Sequence, residues 1–284
     1  MIEAKTALAE RARLMKKAGI AWQAHRGGGG FERPDNTMAS FRYGWDLGGI
    51  PEADIRRTRD GVIVCLHDPS LRRTTDAAEA IADLPVTELE YVSFAGVDAG
   101  AKFDPAYRGE RVPRLVELFA EMKGRPERGA YLDLKEIDLA ELSPLIEEAG
   151  LFGRCIVAGP RPEELAELKR RLPSVQTMLW CGGKAEQIWA KFSGVAGGFK
   201  GIDRVQFHLN DLALPSAWRY EISSEQVARA LAVCKDSGLG FEVLPWKFGG
   251  EDIRALLELG VRGFATDEPE RFCSACEAWI REEQ

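Results

Sequence analysis

Short apolar runs rich in β-branched residues alternate along this chain with stretches whose apolar positions recur at helical spacing. The runs predict strands at 21–25, 52–58, 131–135, 155–158, 176–180, 205–209, 241–246 and 263–266, and the spaced stretches predict helices at 37–47, 139–149, 162–171, 224–237 and 252–259. Strand-then-helix alternation implies a parallel sheet, and eight repeats imply closure into an α/β (β/α)8 TIM barrel. A doubly wound open sheet is the alternative architecture. Boundary residues agree with this reading. Asn36-Thr37 caps the first barrel helix, Gly150 and Gly260 fit helix ends, and Arg59-Asp60-Gly61 reads as a tight turn that makes 52–58 and 62–67 a hairpin. Residues 69–112 break the alternation and predict a small insertion after the second strand, over one barrel end. Residues 1–20 predict a modestly amphipathic helix, packed as a lid over one end, with Arg11 interrupting its apolar stripe.

Composition narrows the picture. The 284 residues suit one domain, 1–284, and 45% hydrophobic content supplies its core. No long uncharged apolar run is present, so no membrane span is predicted. The net charge of −7 argues against nucleic-acid binding but leaves room for a local basic pocket. Nothing in the sequence specifies an oligomeric state. The first twenty residues lack the apolar core of a signal peptide. Cys65, Cys155, Cys181, Cys234, Cys273 and Cys276 are scattered, and together these features point to a reducing, cytoplasmic setting. Cys273 and Cys276 form a C-x-x-C without a second ligand pair, which makes ordinary buried thiols the better reading.

Candidate chemistry concentrates in the first half. Of three histidines, two fall in His25-Arg26-Gly27 and His67-Asp68, with Glu52-Ala53-Asp54 between them. Glu52 and Asp54, two apart in a strand, share one face, and Asp133-Leu134-Lys135 repeats the pattern on the next barrel strand. Buried carboxylates are costly unless neutralised. Glu52, Asp54 and Asp133 would form an all-oxygen cluster suited to Mg2+, Ca2+ or Mn2+ rather than zinc. Arg26 and Lys135 would face a phosphate, and the imidazoles would move protons near neutral pH. Alternatively, Asp133 and Lys135 are a plain ion pair, or Lys135 is a Schiff-base lysine of another barrel enzyme. Glu136 has the wrong parity to join the acids. His208 has no companion motif and reads as a core residue ahead of a pocket residue.

In order and spacing the chain resembles the glycerophosphodiester phosphodiesterase family. The resemblance is carried by His25-Arg26-Gly27, Pro34-Asp35-Asn36-Thr37, Glu52-Ala53-Asp54, Thr58-Arg59-Asp60-Gly61, His67-Asp68, Arg73-Thr74-Thr75, Gly109-Glu110-Arg111-Val112-Pro113, Pro245-Trp246 and Thr266-Asp267-Glu268-Pro269. It implies a barrel that binds a divalent cation on Glu52, Asp54 and Asp133 and a phosphate on Arg26 and Lys135. It also implies acid and base roles for His25 and His67, and a pocket lined by Trp246. The implied substrate is a small-molecule glycerophosphodiester, cleaved to glycerol 3-phosphate and an alcohol. Alternatives are a barrel that binds phosphodiesters with little turnover, or a phospholipase-type lyase that stops at a cyclic phosphate. His25 as base and His67 as acid is one of two possible directions. Three positions depart from the family pattern. Asp133 stands where glutamate is usual, Asp35 replaces a glutamate, and Trp246-Lys247-Phe248-Gly249 replaces a common Trp-Thr-Val-Asn.

Overall fold

The computed structural model describes residues 2–212 and 216–283, without the side chains of residues 2–7. Its strands are β1 (Ala21–Ala24), β2 (Ile50–Arg57), β3 (Ile63–Cys65), β4 (Ala130–Leu134), β5 (Cys155–Gly159), β6 (Gln176–Cys181), β7 (Arg204–Leu209), β8 (Gly240–Pro245) and β9 (Gly263–Thr266). Its helices are α1 (Ile2–Lys17), α2 (Met38–Asp46), α3 (Glu79–Ala82), α4 (Leu115–Lys123), α5 (Leu139–Ala149), α6 (Pro162–Arg171), α7 (Ala185–Val195), α8 (Ser224–Asp236), α9 (Gly250–Glu258) and α10 (Pro269–Glu282).

Eight strands pair in parallel in the circular order β1-β2-β4-β5-β6-β7-β8-β9, and β1 closes on both β2 and β9. This is a closed TIM barrel, and all eight expected barrel strands take part. Strand β3 is the exception. It pairs antiparallel with β2 through the hairpin turn at Gly61, which adopts φ +80°. Apolar residues between the sheet and its jacket of helices make two large clusters, one centred on Phe207, Phe264 and Phe272, the other on Ile55, Leu118 and Ile146.

Local chemistry explains the helix starts. Thr37 accepts the backbone N–H of Ser40, whose hydroxyl returns to the Thr37 backbone, closing a capping box at α2. Ser223 and Gln226 do the same at α8. Residues 69–112 fold as turns and the short α3 over their own cluster of Leu71, Val86, Leu89 and Phe94. Helix α1 packs on α10, with Met15 buried. Arg11 reaches Glu270 at 2.6 Å and Glu277 at 3.2 Å, so the residue that interrupts the apolar stripe is the one that ties the helix down. All six cysteines are buried free thiols, Cys273 and Cys276 in the core under α10.

Candidate active site

The barrel register sets the centre of the site. Asp54 on β2 pairs with Asp133 on β4, and Glu52 lies two residues earlier on the same face of β2. Oxygen atoms of Glu52, Asp54 and Asp133 lie within 4.8 Å of one another, and all three residues are buried. Glu52 Oε2 accepts the backbone N–H of Arg26 at 2.7 Å, while Oε1 is buried without a hydrogen-bond partner. Asn36 holds Asp54 from both sides, its amide donating to Oδ2 at 2.8 Å and its carbonyl oxygen accepting the Asp54 backbone N–H at 2.9 Å. Asp133 Oδ1 accepts the indole N–H of Trp180 at 2.9 Å.

Charge is balanced unevenly over these acids. Burial pushes Glu52 up to about 8, and the neighbouring charge of Asp54 adds to the rise. Burial also acts on Asp54, but Lys135, His67, Arg26 and His25 outweigh it and hold that carboxyl below the ordinary range. Lys135 Nζ lies 2.6 Å from Asp133 and 3.0 Å from Asp54. Arg26, at φ +52°, reaches Asp35 at 3.3 Å and Asp54 at 3.6 Å. Three acids facing two cations leave an excess of negative charge and two buried carboxylate oxygens without a hydrogen-bond partner, Glu52 Oε1 and Asp54 Oδ1. That donor set fits a hard divalent cation.

Each imidazole of the site has its own carboxylate. His25 does not end the strand as expected but opens a short 3-10 turn after β1. Its Nδ1 lies 2.5 Å from Asp267 Oδ1, across a glycine-rich loop. Gly29, at φ +62°, permits that contact, because a Cβ there would fall 2.6 Å from the Asp267 backbone. His67 follows β3, and its Nδ1 lies 2.8 Å from Asp68 Oδ1. Arg73, from the start of the insertion, grips Asp68 at 2.6 and 3.0 Å and also donates to Asp35 at 3.0 Å. Arg56 donates to the His67 carbonyl and pairs with Glu136, whose side chain is exposed and does not line the cavity beside the acids. The two rings are biased in opposite directions. Burial opposes charge on His25, but the hydrogen bond and charge of Asp267 overcome it and raise the ring's pKa. On His67 burial prevails and lowers it.

A cavity of about 290 Å3 opens beside these groups, lined by His25, Arg26, Glu52, His67, Asp133, Lys135 and Trp246 among others. Asp54 sits fully buried just behind the wall. The opposite wall is aromatic. Trp180 stacks on His208 with ring centres 5.1 Å apart, and Trp246 meets His208 and His25 edge-on at 5.3 and 5.6 Å. His208 therefore lines the cavity rather than the core, contrary to expectation. Its parity on β7 turns it to the barrel interior, where a polar ring is tolerated only at the open end. A larger groove, about 590 Å3, runs on the outer flank between α2 and α4, where Glu121 already neutralises Arg42 and Arg128.

Every residue singled out from the sequence thus converges on one end of the barrel, the end where β-strands terminate. The partners Asp267, Asn36, Arg73 and Trp180 carried no assigned role there. Three of them lie in stretches that repeat the family pattern, while Trp180 lies in none of those stretches and has no sequence signal.

Comparison with known proteins is consistent with this geometry. The family model described as "Glycerophosphoryl diester phosphodiesterase family" matches residues 25–271. A glycerophosphodiester phosphodiesterase of Caldanaerobacter subterraneus subsp. tengcongensis is 27% identical over 256 residues, 87% of this chain and 93% of that protein. The crystal structure of a glycerophosphodiester phosphodiesterase from Agrobacterium tumefaciens superposes with a TM-score of 0.71 at 23% identity, covering 90% of this chain and 99% of that one. A phosphodiesterase from Oleispira antarctica, solved with the product sn-glycerol-3-phosphate, superposes with a TM-score of 0.69 at 20% identity, covering 90% and 96%. The chain belongs to the glycerophosphoryl diester phosphodiesterase family, and it is an enzyme of the phosphoric diester hydrolase class.

Proposed function

We propose that this enzyme hydrolyses glycerophosphodiesters to glycerol 3-phosphate and an alcohol, with Glu52, Asp54 and Asp133 holding a divalent cation. The observation that carries the reading is the buried triad of carboxylates, with its unpartnered Glu52 oxygen, in a small cavity between two His–Asp pairs. When bound there, a cation such as Mg2+, Ca2+ or Mn2+ would draw negative charge from a phosphate oxygen.

The side chains supply the rest. Arg26 and Lys135 line the cavity and offset the charge that spreads over the phosphoryl oxygens in the transition state. Asp68 accepts from His67 Nδ1, which leaves Nε2 of a neutral ring free to take the proton from the attacking hydroxyl. Asp267 favours the protonated form of His25, which suits that ring to protonate the departing alkoxide. This direction reverses the simplest sequence reading. It follows from environments that push the two rings apart. Trp246 forms the pocket wall against the glycerol.

The test is turnover of glycerophosphocholine followed by phosphorus NMR. Glycerol 3-phosphate as the product supports hydrolysis. A cyclic phosphate that accumulates and stays would make the enzyme a lyase. His67→Ala should lower kcat by about 10²–10⁴-fold, and near-normal turnover in that variant would remove His67 from the mechanism.

A further inference from the structure

Polar residues alternate along β7, with Arg204, Gln206 and His208 on one side and Val205, Phe207 and Leu209 on the other. The polar set builds a column inside the barrel. At its foot Glu242 Oε1 accepts from Arg204 at 3.0 Å and from the Tyr131 hydroxyl at 2.8 Å. Glu242 Oε2 accepts from the amide nitrogen of Gln206 at 3.4 Å, and the same nitrogen donates to Gln23 Oε1 at 2.8 Å. A carboxylate held by an arginine only accepts, so the Gln206 amide is oriented with its nitrogen toward Glu242. Its oxygen then faces His208, 3.2 Å from Nε2. The hydrogen of the imidazole must sit on Nε2, and Nδ1 is a bare acceptor.

Nothing among the described residues hydrogen-bonds to Nδ1. The stack on Trp180 and the edge of Trp246 fix the ring plane. Gly182 leaves the approach open, because a side chain there would begin 3.0 Å from Nδ1. Burial, with His25, Lys135 and Lys191 nearby, lowers the ring to about 3 and keeps it neutral. In the circular strand order β7 is four places from β2 in either direction. His208 therefore faces Glu52 and Asp54 of β2 across the barrel mouth, on the far wall of the cavity from that strand. The cavity, about 290 Å3, has room for the glycerol phosphate part of a diester.

We infer that His208 is a specificity residue whose Nδ1 accepts a hydrogen bond from the glycerol hydroxyl farthest from the phosphate, with Gln206 as the residue that positions it. The inference rests on the phosphodiesterase reading above. A site built to receive a hydroxyl penalises the analogue that lacks it, because the acceptor is left buried and unpaired.

The test compares kcat/KM for glycerophosphocholine and for 2-hydroxypropyl phosphocholine, which lacks only the terminal hydroxyl, at saturating Mg2+. The wild-type enzyme should prefer the first by about 10- to 100-fold. In His208→Phe, which keeps an aromatic ring between the tryptophans, the preference should collapse toward unity, with the change mainly in KM. His208→Asn, which keeps an acceptor oxygen near Nδ1, should retain most of it. If His208→Phe fails to fold by circular dichroism, the wild-type comparison and the asparagine variant decide. Equal kcat/KM for the two diesters in the wild type overturns the inference and leaves the phosphodiesterase reading intact, as does a preference that survives in folded His208→Phe or vanishes in His208→Asn. Hydrolysis of neither diester by the wild type with any of Mg2+, Ca2+ or Mn2+ overturns the glycerophosphodiester reading instead.

Discussion

Arg73 grips both oxygens of Asp68, at 2.6 and 3.0 Å, and Asp68 is the carboxylate bonded to His67. The same guanidinium donates to Asp35, which in turn pairs with Arg26. One residue of the insertion therefore ties the proposed proton-transfer ring to a proposed phosphate-binding arm. A planar fork holds a carboxylate in two dimensions, and an ammonium cannot. Arg73→Met should reduce kcat on the order of 10²-fold, the scale of a misplaced reacting group, and Arg73→Lys should recover little of it. Steady-state kinetics of the two variants checks this. Full activity in Arg73→Met would show that Asp68 and His67 need no such anchor.

The opposite biases on the two imidazoles fix a pH dependence. With His67 acting neutral and His25 protonated, kcat/KM should fall below the His67 pKa, which lies under the ordinary 6.5, and above the His25 pKa, which lies over it. Asp267→Asn removes the group that raises His25. The alkaline limb should then move to lower pH while the acid limb stays in place. A pH–rate profile of the variant settles the matter, and an unmoved alkaline limb would separate Asp267 from the titration.

Much of this was legible before any coordinates. Parallel barrel strands are covered on both faces, so a charged residue inside one stands out against a continuous apolar background. That is why Glu52, Asp54 and Asp133 could be singled out. The same signal is present on β7, where Gln206 and His208 alternate with Val205, Phe207 and Leu209, but a single imidazole without a motif reads as core. Pairings across the barrel were not legible. Asp267 meets His25 from 242 residues away because β9 pairs with β1, and Trp180 on β6 reaches Asp133 on β4 across β5, from 47 residues away.

Trp180 offers a test of support to the proposed cation site. Its indole N–H is bonded to Asp133, whose arm is shorter than the glutamate the family resemblance leads one to expect. Trp180→Phe keeps a ring against His208 but removes that donor. Cation affinity, read from activity against Mn2+ concentration, should weaken by about 10- to 100-fold, with kcat near wild type at saturation. Unchanged affinity would mean that the indole orients nothing.

Glu52 carries a linkage prediction. Its folded-state pKa is raised from 4.5 to about 8, so the folded state holds its proton more tightly than the unfolded chain does. In chelated protein, stability should therefore fall as pH rises from 4.5 through about 8 and stay lost above it. Glu52→Gln should flatten that slope, and thermal melts across this range with and without EDTA check it. A wild-type melting temperature that rises steadily over the same range would contradict the assignment.

The most direct measurement is glycerophosphocholine turnover by the wild-type enzyme after exhaustive chelation, before and after Mg2+, Ca2+ or Mn2+ is returned. The account predicts that hydrolysis stops on chelation, returns with at least one of these cations, and in Glu52→Gln returns only in part and at higher concentration. Undiminished hydrolysis by the fully chelated wild-type protein would contradict it.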